Sequence, residues 1–435
     1  MTGRKAVIIL NQDGQKKMLG LSLRQRLILN ASQAGWSEFW LFHPDRAEAQ
    51  KAVFELSSDR RVLDRNIRFK VLSHDLFGSE LLAPAGDNYL LFLEDNLVLD
   101  PAIFPRLADS LDGLDRPLVR VEVQGKEGPR QPCPGLLVVR SGARADLVLR
   151  QVLAGKALGQ IEVGNDKDEA SVILLSGFAV VVKDRKSFTR ARNLLLQTAR
   201  KPQDGVVSRL INRRISLFLT KYFLHLNIHP IAQSIVTLAV GLLSVFFVGY
   251  GRQLLVPGGI LFELASIIDG CDGENARLTY RMTRTGQALD ITADAVTFVS
   301  FFVALPVGLY RTYGEKIWLY LGAFALASMV TFYLQLINYA RKTGLGYNIV
   351  AVVKEVEASR NLPQFQTAID RLAASLAFIY RRDFFSTAAF ILIVAGLARP
   401  AMVLAAVMAF LEALYFYFYS RRKMNPEPQR KGELQ

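Results

Sequence analysis

The chain has 435 residues, 51% of them hydrophobic and 21% charged, with a formal net charge of +14. That is length for two or three domains at roughly 100–200 residues each. Two cysteines, Cys133 and Cys271, exclude a disulfide framework and a cysteine-rich zinc site, and no recognised nucleic-acid motif accompanies the positive charge, so a nucleic-acid partner is not expected.

The chain starts "MTGRKAVIILNQDGQKK". The apolar run Ala6–Leu10 is too short for a signal peptide and lacks a small-residue cleavage site, so the N-terminus is expected in the cytoplasm. Short β-like runs follow: Ala6–Leu10, Glu38–Phe42, Tyr89–Leu93, Leu118–Val123, Gly135–Arg140 and Gly177–Val182. Leu23–Gly35 reads as a helix ending at a glycine. Strands alternating with helices predict an α/β domain with a mainly parallel sheet over residues 1–200.

"KPQDGVVSRLINRRISLFLTKYFLHLNIHP" (Lys201–Pro230) places Val207, Leu210, Ile211, Ile215, Leu217 and Phe218 at roughly helical spacing with arginines opposite. It is expected as an amphipathic juxtamembrane helix over residues 201–229. An ordinary packed linker helix is the alternative.

Composition changes near residue 230. Six apolar runs approach the roughly 20 residues that span a bilayer: Ile231–Tyr250, Leu254–Ile268, Leu289–Tyr310, Ile317–Tyr339, Phe384–Leu397 and Met402–Tyr419. They predict an all-α domain of six transmembrane helices over residues 230–422, then a polar tail, 423–435. The second and fifth runs are short, and the second is expected to continue into the charged stretch after it. Arginine and lysine concentrate before the first span, between the second and third, between the fourth and fifth, and after the sixth. The positive-inside rule then puts both termini and the charged stretch on the cytoplasmic side, and the expected location is the cell (inner) membrane.

Between spans two and three lies "DGCDGENARLTYRMTRTGQALDITAD" (Asp269–Asp294), with four aspartates, one glutamate and three arginines. On a helix Asp269, Asp272 and Ala276 share a face, and on the next helix so do Asp290 and Asp294. Gly286 and a polar turn let the chain reverse, so two helices can present four carboxylates to one point. One aspartate at mid-membrane costs about 2.5–3.5 kcal/mol on the gentlest scale, and four on the order of 10 kcal/mol. Arg277 and its neighbours could pair with some. Hard divalent cations such as Mg²⁺ or Mn²⁺ compensate better, and a pair of them about 3.5–4 Å apart would clamp a phosphoryl group. Gly273 and Ala276 leave room for a ligand to approach the helix, and Arg277 supplies a fixed positive charge suited to phosphate.

Asp269, Asp272, Gly273, Ala276, Arg277, Gly286, Asp290 and Asp294 match, in type and spacing, the signature D-x2-D-G-x2-A-R-x8-G-x3-D-x3-D, so the chain resembles the CDP-alcohol phosphotransferases over about residues 205–420. The resemblance implies transfer of a substituted phosphate from a CDP-linked donor to an alcohol, releasing CMP. It implies Asp269, Asp272, Asp290 and Asp294 as metal ligands of a two-metal site, with Asp294 also the general base. It implies Gly273, Ala276, Arg277 and Gly286 at the nucleotide, and a homodimer. Arg341, Lys342, Arg381 and Arg382 are candidates for an acceptor phosphate, with topology-setting loop charge as the alternative for each. The first span departs from a common family feature: Pro230 is followed by Ile231, where many members carry asparagine.

The N-terminal part is similar to sugar-phosphate nucleotidyltransferases, with Asp95 of "YLLFLEDNLVLDPAIF" at their metal-binding aspartate. That domain order resembles the bifunctional inositol-1-phosphate cytidylyltransferase/di-myo-inositol phosphate phosphate synthases. The phosphate loop departs from theirs: Asn11–Lys17 keeps only Gly14, and Asp13 adds repulsion where phosphates should sit. A catalytically silent domain is expected, with an active cytidylyltransferase as the alternative. The donor is left open between CDP-diacylglycerol and a CDP-polyol, and the acceptor as a polyol or polyol phosphate. A divalent-cation-binding membrane protein and an inactive scaffold are the readings outside catalysis.

Overall fold

The computed structural model describes residues 4–72, 89–112, 114, 118–125, 128–140, 143–161, 170–199, 212–344, 352, 355 and 382–424. Residues 201–211 of the expected juxtamembrane helix, Arg381 and the tail from residue 425 lie outside them, as does the side chain of Arg382. The chain divides into two compact units. One comprises Met1–Lys201, Phe223–Asn227 and Glu274–Arg281; the other holds the remaining segments, Pro202–Tyr222, Ile228–Gly273 and Met282–Gln435.

In the first unit the elements run β1 (Arg4–Ile9), β2 (Lys17–Met18), β3 (Leu21–Ser22), α1 (Leu23–Gln33), β4 (Trp36–Phe42), α2 (Arg46–Ser57), α3 (Arg60–Leu63), β5 (Arg68–Leu72), β6 (Tyr89–Glu94), β7 (Leu97–Leu99) and α4 (Ile103–Leu111). Then come β8 (Leu118–Gln124), β9 (Arg130–Arg140), α5 (Ala143–Leu153), β10 (Ala170–Ser176), β11 (Ala179–Val181) and α6 (Arg185–Thr198). Seven strands form one sheet in the order β10-β8-β9-β6-β1-β4-β5. It is parallel except at β9, which runs antiparallel to both neighbours. The strands are apolar on both faces because both are covered. Ala6 and Ile8 of β1 pack with Leu27 and Ile28 of α1 and Phe104 and Leu107 of α4. Val7 and Ile9 point the other way, with Val148 and Leu149 of α5. Gly177–Val182, expected as one strand, is instead the short β11 after a separate strand, β10. Helix α1 starts on a capping box in which Ser22 and Gln25 exchange hydrogen bonds.

The elements that follow are α7 (Arg213–His225), α8 (Pro230–Tyr250), α9 (Leu255–Thr279), α10 (Arg284–Tyr313), α11 (Ile317–Lys342), α12 (Arg382–Val394) and α13 (Ala398–Met424). Among the described residues five helices are long and apolar enough to cross a membrane: Pro230–Tyr250, Arg252–Thr279, Arg284–Tyr313, Ile317–Lys342 and Ala398–Arg421. The expected count was six. The fifth predicted span is α12, whose apolar part Phe384–Val394 falls short of that length. The second span does run on into the charged stretch, as α9, ending at Thr279.

These helices leave large apolar side chains exposed, and α8 also buries small and polar ones. On α8 the buried residues include Gln233, Ser234, Thr237, Gly241 and Ser244, while Ile235, Leu243 and Phe246 are exposed. Tyr320 and Leu334 of α11 are likewise exposed, the arrangement of a membrane-embedded bundle whose solvent is hydrocarbon. The aromatic centre stacks Phe262 on Phe301 at 3.8 Å and Phe302 on Phe385 at 5.0 Å. Glu263 is buried in α9 and accepts a hydrogen bond from Thr387 of α12 at 2.9 Å, with Ser386 and Ser266 3.1 Å apart one turn along.

Helices α8 and α10 cross where Gly308 meets the backbone of Val248. A Cβ on Gly308 would lie 1.9 Å from the Val248 carbonyl oxygen, so Gly308→Ala must push the two helices apart. The expected cost is about 1–3 kcal/mol, read as a lowered thermal midpoint of the detergent-solubilised protein; an unchanged midpoint would show that the crossing is not tight.

The last carbonyls of α9 are satisfied within the first unit. Arg26 Nη1 donates to Leu278 O at 2.7 Å, Arg61 Nη1 to Thr279 O at 3.5 Å and Arg65 Nη2 to Tyr280 O at 3.4 Å. Cations at a helix C-terminus are doubly placed, as donors to orphan carbonyls and against the negative end of the dipole.

Candidate active site

Helix α9 carries Asp269 and Asp272, and α10 carries Asp290 and Asp294. The expected reversal at Gly286 is made earlier. Helix α9 ends at Thr279, Tyr280 takes a left-handed φ of 57°, and α10 begins at Arg284 behind an N-cap Thr283. The Thr283 hydroxyl accepts from the Gly286 N–H at 3.0 Å, so Gly286 sits inside the first turn of α10. Helical spacing then brings Asp290 and Asp294 onto one face, one turn apart.

Asp269, Asp290 and Asp294, each half-buried, present carboxylate oxygens that all lie within 4.8 Å of one another. Three hard oxygen donors at that separation are a fitting set for a Mg²⁺- or Mn²⁺-type ion. Asp272 is not in that group. It is buried, and its Oδ2 accepts a hydrogen bond from the Ser234 hydroxyl on α8. Ser234 is a residue that sequence reasoning missed. Its signal was present: one turn after Pro230, it opens a polar stripe in an otherwise apolar span.

Gly273, Ala276 and Arg277 are half-buried. The Arg277 guanidinium donates to the Ala199 carbonyl from Nε at 3.1 Å and Nη2 at 2.7 Å, within the first unit. Arg341 and Lys342 lie exposed in the last turn of α11.

Asp95, at the end of β6, is fully buried. Arg24 of α1 holds its Oδ2 through Nε at 2.9 Å and Nη2 at 2.8 Å, and the Asn11 N–H donates to Oδ1 at 2.8 Å. Burial pushes the Asp95 carboxyl up to about 6, against the downward pull of Arg24 and the Asn11 N–H. The turn Gln12–Gln15 closes over it: a Cβ on Gly14 would fall 2.0 Å from Asp95 Oδ2. A guanidinium and a backbone turn thus fill the space beside this carboxylate.

Residues 229–395 match the CDP-alcohol phosphatidyltransferase family. The chain is 30% identical over 264 residues to the bifunctional IPC transferase and DIPP synthase of Thermococcus kodakarensis, covering 60% of this chain and 56% of that protein. It is 31% identical over 136 residues to the protein of the same name from Aquifex aeolicus, covering 31% of each. The chain thus spans little more than half the length of the first of these relatives and under a third of the second. The solved 4-diphosphocytidyl-2C-methyl-D-erythritol synthase of Anaerococcus prevotii is 13% identical, covering 44% of this chain and 98% of its own, with a TM-score of 0.32.

Proposed function

Taking residues 229–395 as a CDP-alcohol phosphatidyltransferase domain, we propose that this chain is a membrane-embedded, divalent-metal-dependent CDP-alcohol phosphotransferase. It transfers a substituted phosphate from CDP-diacylglycerol or a CDP-polyol to a polyol or polyol phosphate, forming a phosphodiester and releasing CMP. The observation that carries this reading is the convergence of Asp269, Asp290 and Asp294 from two helices, within a motif that matches the family in every fixed position.

Bound Mg²⁺ or Mn²⁺ would neutralise the diphosphate and the leaving oxygen. Asp269, Asp290 and Asp294 would hold it, with Asp272 set by Ser234 completing a two-metal site. Asp294 would take the proton of the acceptor hydroxyl, since an alcohol is a poor nucleophile until a carboxylate removes it. Gly273, Ala276 and Gly286 would leave room for the nucleotide, and Arg277 would meet its phosphates after exchanging its bonds to Ala199 O. Arg341 and Lys342, with Arg381 and Arg382, are the acceptor-phosphate candidates. Residues 1–200 would be a catalytically silent nucleotidyltransferase-like domain; the packing of Arg24 and Gly14 onto Asp95 supports that over a bifunctional enzyme. The protein is proposed to work as a homodimer in the cell (inner) membrane, both termini cytoplasmic. A non-enzymatic cation-binding membrane protein is the rival.

The test is CMP release by purified, detergent-solubilised protein with Mg²⁺ or Mn²⁺, offering CDP-diacylglycerol and CDP-inositol with a panel of polyols and polyol phosphates. Metal-dependent release names donor and acceptor together; metal binding without release from any pair favours the cation-binding reading. Ser234→Ala removes the hydroxyl that orients Asp272. It is expected to lower Mn²⁺ affinity or turnover about 10–100-fold, the usual cost of losing such a supporting partner; wild-type values would detach Asp272 from the site.

A further inference from the structure

The juxtamembrane helix α7 buries polar residues beside apolar ones. Ile215, Phe218 and Tyr222 are exposed, at 42%, 54% and 55%, whereas Arg213, Ser216 and Thr220 are buried together with Leu217 and Leu224. Sequence reasoning set the arginines opposite the apolar face as solvent or headgroup charge. Arg214 fits that description, being exposed, but Arg213 does not, at 7% exposure. Its side chain lies over α9 at Gly270. Arg213 Nη1 is 3.4 Å from the Gly270 carbonyl oxygen, and a Cβ on Gly270 would come within 2.9 Å of that same nitrogen. One turn along α7, Ser216 lies 3.5 Å from the same Cβ position, and the Ser216 carbonyl accepts from Cys271 Sγ at 3.4 Å.

Gly270 and Cys271 are the two residues between Asp269 and Asp272, so both are gripped by a single turn of α7. We propose that Arg213 is a positioning residue for the metal-binding carboxylates. Its forked head group, seated so close to Gly270 that a Cβ there would make it shift, fixes the turn of α9 from which Asp269 and Asp272 project. This rests on the metal-site reading above. The mechanics follow from the geometry: a carboxylate's direction is set by its backbone turn, and a planar guanidinium with several donors locates a carbonyl better than a flexible ammonium can. A fixed support matters most where several carboxylates repel one another until a cation arrives.

The test uses the full chain in detergent and Mn²⁺ alone as the probe, with free Mn²⁺ followed by electron paramagnetic resonance and the thermal midpoint taken beside it. Arg213→Gln and Arg213→Lys are both expected to weaken Mn²⁺ binding about 10–100-fold, with Arg214→Gln at the wild-type value. Gly270→Ala, which leaves every charge in place but displaces the guanidinium, is expected to weaken it similarly. It serves as the second reading if either Arg213 variant fails to fold. Wild-type or tighter binding in Arg213→Gln would overturn the proposal, leaving Arg213 a mere countercharge, as would full rescue in Arg213→Lys. Absence of Mn²⁺ binding to the wild-type protein, or binding unchanged in Asp294→Asn, would sink the metal-site reading instead.

Discussion

Asp294→Asn is expected to lower CMP release by about 10²–10⁴-fold, the range that a positioned general base contributes. The substitution keeps the shape of the side chain and one carbonyl oxygen in the three-carboxylate cluster, so α10 has no reason to move. On the proposed mechanism, what disappears is the ability to accept the acceptor's proton, together with one negative charge of the three-carboxylate cluster. The two losses are separable. If the base is what matters, saturating Mn²⁺ leaves the defect intact; if ligation is what matters, raising Mn²⁺ restores most of the rate. A drop smaller than about tenfold at saturating metal would remove Asp294 from the role of base.

Asp95→Ala is expected to destabilise the α/β unit by about 3–5 kcal/mol, because a buried cation is left with no counter-ion. Arg24 is 5% exposed and Asp95 fully buried, so water cannot replace the lost carboxylate, and the Asn11 N–H loses its acceptor as well. Amide exchange should quicken in β1 and β6, the two central strands that meet at this ion pair; protection equal to wild type would show that the pair does not hold the sheet. There is also a sign in pH. The Asp95 carboxyl is raised from 3.8 to about 6 in the fold, so the fold binds its proton more tightly than the unfolded chain does. Its contribution to stability is fully present below the unfolded value and lost as pH rises through about 6. The stability advantage of wild type over Asp95→Asn should therefore shrink as pH climbs from about 4 to about 6, and an advantage that grows would contradict this. Under a silent-domain reading, neither Asp95 variant costs any CTP-dependent activity, since there is none to lose.

Some of this architecture is readable in one dimension and some is not. The eight fixed positions from Asp269 to Asp294 are local, so they can be matched to a family signature in the sequence, and helical periodicity places Asp290 and Asp294 together. The extension of α9 through its charged end is legible too, because the apolar run before it is too short to stop where it does. Arg213 is different. In the sequence it is one of several basic residues before a span, and nothing local separates it from Arg214; only packing against Gly270, 57 residues on, makes one of them buried. Ser234 is similar, a small polar residue whose value lies in facing Asp272. Strand β10 is absent from the sequence reading; among the described strands it lies at the edge of the sheet, where Val172 is 57% exposed. The fifth predicted span is already short in the sequence, and the described apolar part of α12, Phe384–Val394, is shorter still.

The compact units do not divide where the membrane begins. Glu274–Arg281, the second half of the signature stretch on α9, folds with the strands of the α/β unit, while Asp269–Gly273 folds with the spans. A gene encoding such a chain cannot shed its first 200 codons cleanly. Deletion would strip Leu278 O and Thr279 O of their arginines and expose a buried Tyr280, damage done within the very helix that bears the aspartates. A domain stitched in this way is needed by the helix beside it whether or not it turns over a substrate of its own.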